Sequence, residues 1–354
     1  MSSCSSDAAA VCSACHTDAP PSIPDVSVLL PVFNAASTVT AAVDSLLAQD
    51  CPALEIIAAD DGSTDGTGPL LDVLAARDRR LRVLHLPHQG IAGTLNAGLA
   101  AARGRFIARM DADDVSLPGR LRRQRDFLDA HPETGLVSCL VRFGGDARRA
   151  GGFARLVDWM NACRSNEELR VNRFRETPIP HPSVMFRAEL PVRYGGYREG
   201  PFPEDWELWL RWMDAGVLME KLPETLLVWN DPPGRLTRTD AHYAEAAFTQ
   251  TRALWLARHL LREGRREVCV IGGGRVSRRR ALPLQAHGIR IRAWVDIDPH
   301  KIGNMVHGIP VIAREALPAG IFILICLTGH GAPEEAAAWL RSRGLRAGRD
   351  YLIA

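Results

Sequence analysis

Short apolar runs at residues 26–31, 55–59 and 81–84 alternate with helical or glycine-rich stretches, and this alternation constrains the fold more than any other feature. Successive strand and helix units predict a parallel sheet inside an α/β architecture. Such sheets place ligands beyond the carboxyl ends of their strands, so the polar residues just past each run are the first candidates for chemistry.

A fourth short run, Phe106, Ile107 and Ala108, leads into Asp111, Asp113 and Asp114. Two carboxylates one residue apart at a strand end can offer hard oxygen ligands to Mg²⁺ or Mn²⁺ and leave positions open for diphosphate oxygens. A solvated acidic turn before the helix that starts near Pro118 would use the same residues. The second run closes in Asp60, Asp61, Gly62, Ser63 and Thr64. That turn can present an acceptor to a nucleobase N–H and hydroxyls to a ribose, or it can cap a helix. Glycines at 90, 93, 98 and 104, around Thr94 and Asn96, predict a helix held close to the sheet or to a ligand.

Four segments in this order, 29–34 (Leu-Leu-Pro-Val-Phe-Asn), 59–67 (Ala-Asp-Asp-Gly-Ser-Thr-Asp-Gly-Thr), 95–99 (Leu-Asn-Ala-Gly-Leu) and 108–114 (Ala-Arg-Met-Asp-Ala-Asp-Asp), resemble family 2 glycosyltransferases of the GT-A fold. The resemblance implies an inverting transferase that uses a nucleotide-diphosphate sugar and a divalent cation. It places Pro31, Phe33, Asn34, Asp60, Asp61, Asn96 and Asp111 around the nucleotide, with either Asp60 or Asp61 on the base. Asp111 falls near the ribose or the metal, and Asp113 is the main metal ligand. Pro118, Arg120, Leu121 and Gln124 continue the family pattern as a helix. The segment 180–185 resembles an acceptor-side strand, in which His181 is a structural histidine or an acceptor-site residue.

The second chemical stretch is 203–212. Its Trp and Leu residues recur at helical spacing and predict a core face, while Pro203 puts Glu204 and Asp205 in the first turn, where the helix dipole favours negative charge. By resemblance Asp205 is the base that takes the acceptor hydroxyl's proton, and Glu204 shapes the acceptor pocket. The polar loop 230–240 carries Arg235 and Arg238; it is either a linker or, as in the family, a loop closing on the diphosphate, with Arg238 on the phosphates.

The expected division is a disordered tail at 1–24, a GT-A domain at 25–234, a helical linker at 235–264 with one long helix over 241–263, and a small Rossmann-like βαβ domain at 265–354. In the last part, strands at 268–271 and 289–295 flank Gly272, Gly273 and Gly274, and Asp296 follows at dinucleotide-fingerprint spacing, but Ser277 stands at the third glycine position. That domain is read as regulatory or scaffolding.

Charge is uneven: residues 1–230 hold 24 basic and 30 acidic side chains, and 231–354 hold 19 and 11. The arginines of the basic part are scattered among apolar positions with few aromatics, unlike a nucleic-acid groove. Eight dispersed cysteines predict a reduced, cytoplasmic protein, and the Cys12, Cys15 and His16 spacing of haem attachment lacks an export signal beside it. No run approaches the ~20 apolar residues of a membrane span, so contact with the inner membrane face would be peripheral. The expected partners are a nucleotide-sugar donor and a glycan or lipid-linked glycan acceptor. The rival readings are a non-catalytic nucleotide-sugar sensor or assembly subunit, and an oxidoreductase built on the glycine turn.

Overall fold

The computed structural model describes residues 23–354 except residues 52, 233 and 330. The tail expected at 1–24 lies outside the described residues up to residue 22.

The first part runs β1 (Val26–Val32), α1 (Val39–Leu47), β2 (Leu54–Asp60), α2 (Thr67–Arg77), β3 (Leu81–His85), α3 (Gly90–Ala101), β4 (Phe106–Arg109), β5 (Val115–Ser116) and α4 (Arg120–Ala130). It continues with β6 (Thr134–Phe143), α5 (Gly151–Ala162), α6 (Asn166–Asn172), β7 (Met185–Arg187), α7 (Glu189–Tyr194), α8 (Glu204–Asp214) and β8 (Leu218–Trp229). Its sheet has the order β3-β2-β1-β4-β7-β6-β8-β5. β1 pairs in parallel with β2 and β4, and β2 with β3, while β7 runs antiparallel between β4 and β6. Because β1 has β2 on one side and β4 on the other, the strand order reverses there, and the carboxyl ends of β1 and β4 open on a crevice. The register sets Val32 opposite Asp60 and Leu29 opposite Arg109, which aligns the polar ends of three strands along one edge.

Every residue of β1 and β2 is buried, as expected of strands covered on both faces. Their side chains alternate between two cores: Val28, Leu30, Ile56 and Ala58 pack with Val43 and Leu71, while Leu29 and Ile57 pack with Leu95 and Trp209. Each such aliphatic side chain contributes about 1.5–3 kcal/mol on burial. The opposite sheet edge is a polar lock. Glu55 accepts from Ser27 Oγ at 2.5 Å and from Arg103 and Arg82 at 2.8 and 3.0 Å. Gly104 fits against it because a Cβ there would lie 2.6 Å from the Ser27 nitrogen.

Two expected elements differ. The segment 180–185 is not one strand: His181–Ser183 forms a 3₁₀ turn, closed by Ser183 Oγ donating to the Pro180 carbonyl at 2.6 Å, before β7 begins. Pro180 and Pro182 lack the N–H groups that a ladder needs. The helix expected over 241–263 is broken: Ala241–Tyr243 is a 3₁₀ turn whose His242 N–H is capped by Asp240.

After the short α9 (Leu236–Thr239), α10 (Glu245–Arg262) leads to β9 (Glu267–Ile271), α11 (Arg275–Ala281), β10 (Arg290–Asp296), β11 (Met305–Val306), β12 (Ile309–Ala313), β13 (Phe322–Ile325), α12 (Ala332–Ser342) and β14 (Tyr351–Ile353). These strands form a second sheet, β11-β12-β10-β9-β13-β14, parallel except for β11. α10 belongs to both parts: its Ala253, Leu256 and Leu260 share one core with Phe174, Trp206 and Leu210 of the first and with Val270, Ile291 and Leu324 of the second.

Candidate active site

β4 ends in Arg109, and the Met110 N–H donates to the Leu29 carbonyl, which carries the chain into a turn closed by Asp114 N–H on the Asp111 carbonyl. Asp111, Asp113 and Asp114 thereby bring carboxylate oxygens within 4.8 Å of one another, close enough to share one cation. Asn230, just past β8, pins the turn: its N–H donates to Asp114 Oδ1 at 2.8 Å and its side-chain amide to the Asp113 carbonyl at 2.7 Å. The other Asp114 oxygen is buried without a partner. Burial, then the charge of Asp111, pushes Asp113 up to about 6, and the same causes raise Asp114 well above the usual carboxylate range. Three mutually repelling carboxylates with an orphaned buried oxygen fit a divalent cation on the grounds of charge and donor chemistry.

Beside them lies Arg109, 3% exposed, whose Nη2 pairs with Asp111 at 2.5 Å while its Nε and Nη1 are buried without partners. Burial opposes its charge, and Asp111 more than restores it. Arg109 is itself held from below: the buried Arg120 donates to its carbonyl at 2.6 Å and to Gln124, and Gln124 donates to the Ser183 carbonyl at 2.7 Å. The helical positions that continued the family pattern thus fix the end of β4.

The field of Arg109 reaches the second acidic pair. Pro203 precedes the first turn of α8, as expected, and Trp206, Trp209 and Trp212 are fully buried. Glu204 accepts from Tyr243 Oη at 2.6 Å, and its other oxygen lies 3.8 Å from His181 Nδ1. His181 Nε2 meets Tyr197 Oη at 2.8 Å. Burial, then the charge of Arg109, holds the imidazole neutral, so its approach to Glu204 is not an ion pair. Asp205 accepts from its neighbour Trp206 N–H at 2.7 Å and is pushed up to about 7 by burial and by Glu204.

Around the ends of β1 and β2, Pro31 is buried and Asn34 takes a left-handed φ of 49°. Asn34 knits the loops together: its N–H donates to Ser63 Oγ, and Thr64 N–H donates to its side-chain oxygen, both at 2.8 Å. Asp60 accepts from Ser63 N–H at 3.1 Å. The Asp61 carboxylate accepts from the Gln89 and Gly90 N–H groups at the start of α3 and lies 2.9 Å from His88 Nδ1. Both carboxylates therefore serve the turn and the helix start. Phe33 is 49% exposed and stacks on His88 at 4.6 Å, an open aromatic shelf beside Asp61.

The Asn96 amide clasps the backbone of Tyr197, donating to its carbonyl at 2.8 Å and accepting its N–H at 3.0 Å. Arg238 lies against both oxygens of Asp231 at 2.6 Å. Of the two loop arginines it is Arg235, stacked on Trp229 and Phe153, whose charge acts on Asp113. Arg109, Tyr197, Asn230 and Tyr243 join the site without having been singled out from the sequence.

The family model described as Glycosyl transferase family 2 matches residues 27–190. The putative glycosyltransferase EpsE of Bacillus subtilis is 32% identical over 208 residues, 57% of this chain and 72% of its own. The chain belongs to glycosyl transferase family 2. Two further relatives are the succinoglycan biosynthesis protein ExoO of Rhizobium meliloti, 43% identical over 47% of this chain and 45% of its own, and the amylovoran biosynthesis glycosyltransferase AmsE of Erwinia amylovora, 29% identical over 57% and 74%. Among solved structures, TarS of S. aureus in complex with UDP-GlcNAc aligns with a TM-score of 0.52 and 21% identity over 67% of this chain and 73% of that one, a likeness of fold. The family match takes in the Asp111 turn and His181 and ends before α8. This family 2 member is a glycosyltransferase with a GT-A type α/β domain and a second, smaller sheet. Among the described residues no helix is long and apolar enough to cross a membrane.

Proposed function

We propose that this glycosyltransferase moves a sugar from a nucleotide-diphosphate donor to a glycan or lipid-linked glycan acceptor during synthesis of a surface polysaccharide, with inversion at the anomeric carbon. The observation that carries the reading is the acidic turn, where Asp111, Asp113 and Asp114 bring carboxylate oxygens within 4.8 Å of one another beside the buried Arg109, whose charge also acts on Glu204 and Asp205. The naming of relatives for succinoglycan and amylovoran synthesis supports the product class, and TarS bound to UDP-GlcNAc supports the class of sugar donor.

Asp111 and Asp113 would hold Mg²⁺ or Mn²⁺, with Asp114 behind them, and the bound ion would neutralise the diphosphate of the departing nucleotide. Phe33 and His88 would stack on the nucleobase beside Asp61. Asp205 takes the proton from the acceptor hydroxyl as its oxygen bonds to the anomeric carbon and the bond to the diphosphate oxygen breaks. A base with a pKa near 7 suits that task at neutral pH. Glu204, held by Tyr243 and near His181, shapes the acceptor side. One displacement inverts the centre, so no covalent enzyme intermediate is needed.

The test is a calorimetric titration with a panel of nucleotide sugars, with and without Mn²⁺. The intact chain should bind one of them in a Mn²⁺-dependent manner, and Asp113→Ala should abolish that dependence while keeping the fold. Unchanged affinity and unchanged Mn²⁺ dependence in Asp113→Ala would remove the acidic turn from the donor site.

A further inference from the structure

The glycine turn of the second sheet takes no part in the transfer reaction, yet it sits where an open parallel sheet binds ligands. β9 lies between β10 and β13, the strand order reverses beside it, and residues 272–274 leave from its carboxyl end. The turn is tightly built. Gly272 has a φ of 114°, and a Cβ there would come 2.4 Å from Ser277 Oγ, so the serine standing where a third glycine was expected packs on a glycine instead. Gly273 donates to Asp296 Oδ2 at 3.1 Å, and a Cβ on it would meet the same oxygen at 2.9 Å. Gly274 has open space where a Cβ would stand.

Two cavities adjoin across the Gly273 to Asp296 contact. One, of about 270 Å³, is lined by Gly273, Gly274, Arg275, Arg278 and Lys301; the other, of about 200 Å³, is lined by Ile297, Leu327 and Trp339, with Glu335 and Arg314 at its side and Arg314 over the Trp339 ring. The charges of α11 are divided between two jobs. Arg279 pairs with Glu245 and Arg280 donates to the Ala354 carbonyl, whereas Arg275 and Arg278, which line the cavity, have no ion-pair partner among the described residues. Lys301, which also lines that cavity, is shared between Asp296 at 3.2 Å and Asp298 at 3.4 Å. A basic chamber set beside a largely apolar one, with a fixed carboxylate between them, matches a molecule with phosphate at one end, hydroxyls in the middle and a flat ring at the other.

We propose that the second sheet carries a binding site for a nucleoside phosphate, separate from the transferase site, with the phosphate on Arg275 and Arg278, the ribose beside Asp296 and the base against Trp339. This goes beyond the transfer reaction and does not rest on it.

The experiment uses the full chain carrying Asp113→Ala, in EDTA, so that metal-dependent binding at the first site is silent. It is titrated with ADP, GDP and UDP, and in parallel with inorganic phosphate and the unphosphorylated nucleosides. One nucleotide should bind with 1:1 stoichiometry and more tightly than either of its parts. Replacing Arg275 and Arg278 together by Gln should weaken it by about tenfold or more, the scale of losing charge-assisted phosphate contacts. Gly274→Val, which has room to fold, should do the same by filling the chamber, and neither change should slow sugar transfer in an otherwise intact chain. The proposal is overturned if no nucleotide binds at millimolar concentration, if the Gln pair or Gly274→Val leaves affinity unchanged, or if inorganic phosphate binds as tightly as the nucleotide.

Discussion

Asp205 stands at the start of α8 with its pKa at about 7, raised by burial and by the charge of Glu204. As the proposed base it works only as the carboxylate, so transfer should fall as pH drops through that value, by about tenfold per unit once below it. Asp205→Asn should lose that acid limb together with about 10²-fold or more of the rate, while sugar-donor affinity holds. Steady-state rates across the neutral range check both, and a variant that transfers normally would point to Glu204 or His181. Arg109 lowers the proton affinity of Glu204 and Asp205 by its charge. Arg109→Met should therefore move the acid limb to higher pH, whereas Arg109→Lys should keep it near its place; an unmoved limb in the Met variant would cut Arg109 off from the base. The positions of Asp111, Asp113 and Asp205 were legible in the sequence because each lies within a few residues of a strand end or a helix start. Arg109 and Tyr243 were not, because their roles depend on the register of β4 on β1 and on a contact 39 residues apart.

α3 is tied to the segment before α8 by the Asn96 clasp on the Tyr197 backbone, and Gly196 is needed there because a Cβ would stand 2.7 Å from the Asn96 oxygen. Asn96→Ala should cost about 1–3 kcal/mol of stability by leaving two backbone groups unpaired. Transfer should slow as Tyr197 and its partner His181 drift, with sugar-donor affinity unchanged. A weaker affinity at unchanged melting temperature would instead return the amide to the nucleotide site. The same element shows why the sequence was only half readable: glycine spacing announced a close approach, but could not say whether sheet, ligand or the Tyr197 backbone was on the other side. The strands themselves were better marked, since buried runs at β1, β2 and β4 carry their own signal. The 3₁₀ turn at His181–Ser183 was mistaken for strand because two prolines bound extended and tight-turn segments alike.

At the scale of the molecule, every residue proposed for sugar-donor binding and base catalysis precedes residue 240. Removing residues 265–354 should leave the Mn²⁺-dependent affinity for nucleotide in place. It should also bare the face of α10 that carries Leu256 and Leu260, so the shortened chain should aggregate until those positions are made polar. Loss of affinity in every soluble version would show that the second sheet shapes the first site. The apolar periodicity of α10 was legible, but its service to two sheets was not, because the partners of a helix face are set by topology. That sharing has a calorimetric meaning. A wall common to two rooms cannot be taken down for one of them, so heat should find a single cooperative body, with one endotherm whose calorimetric and van't Hoff enthalpies agree. The thermal lifetime of the transferase would then be governed by ninety residues that lie outside its proposed sugar site.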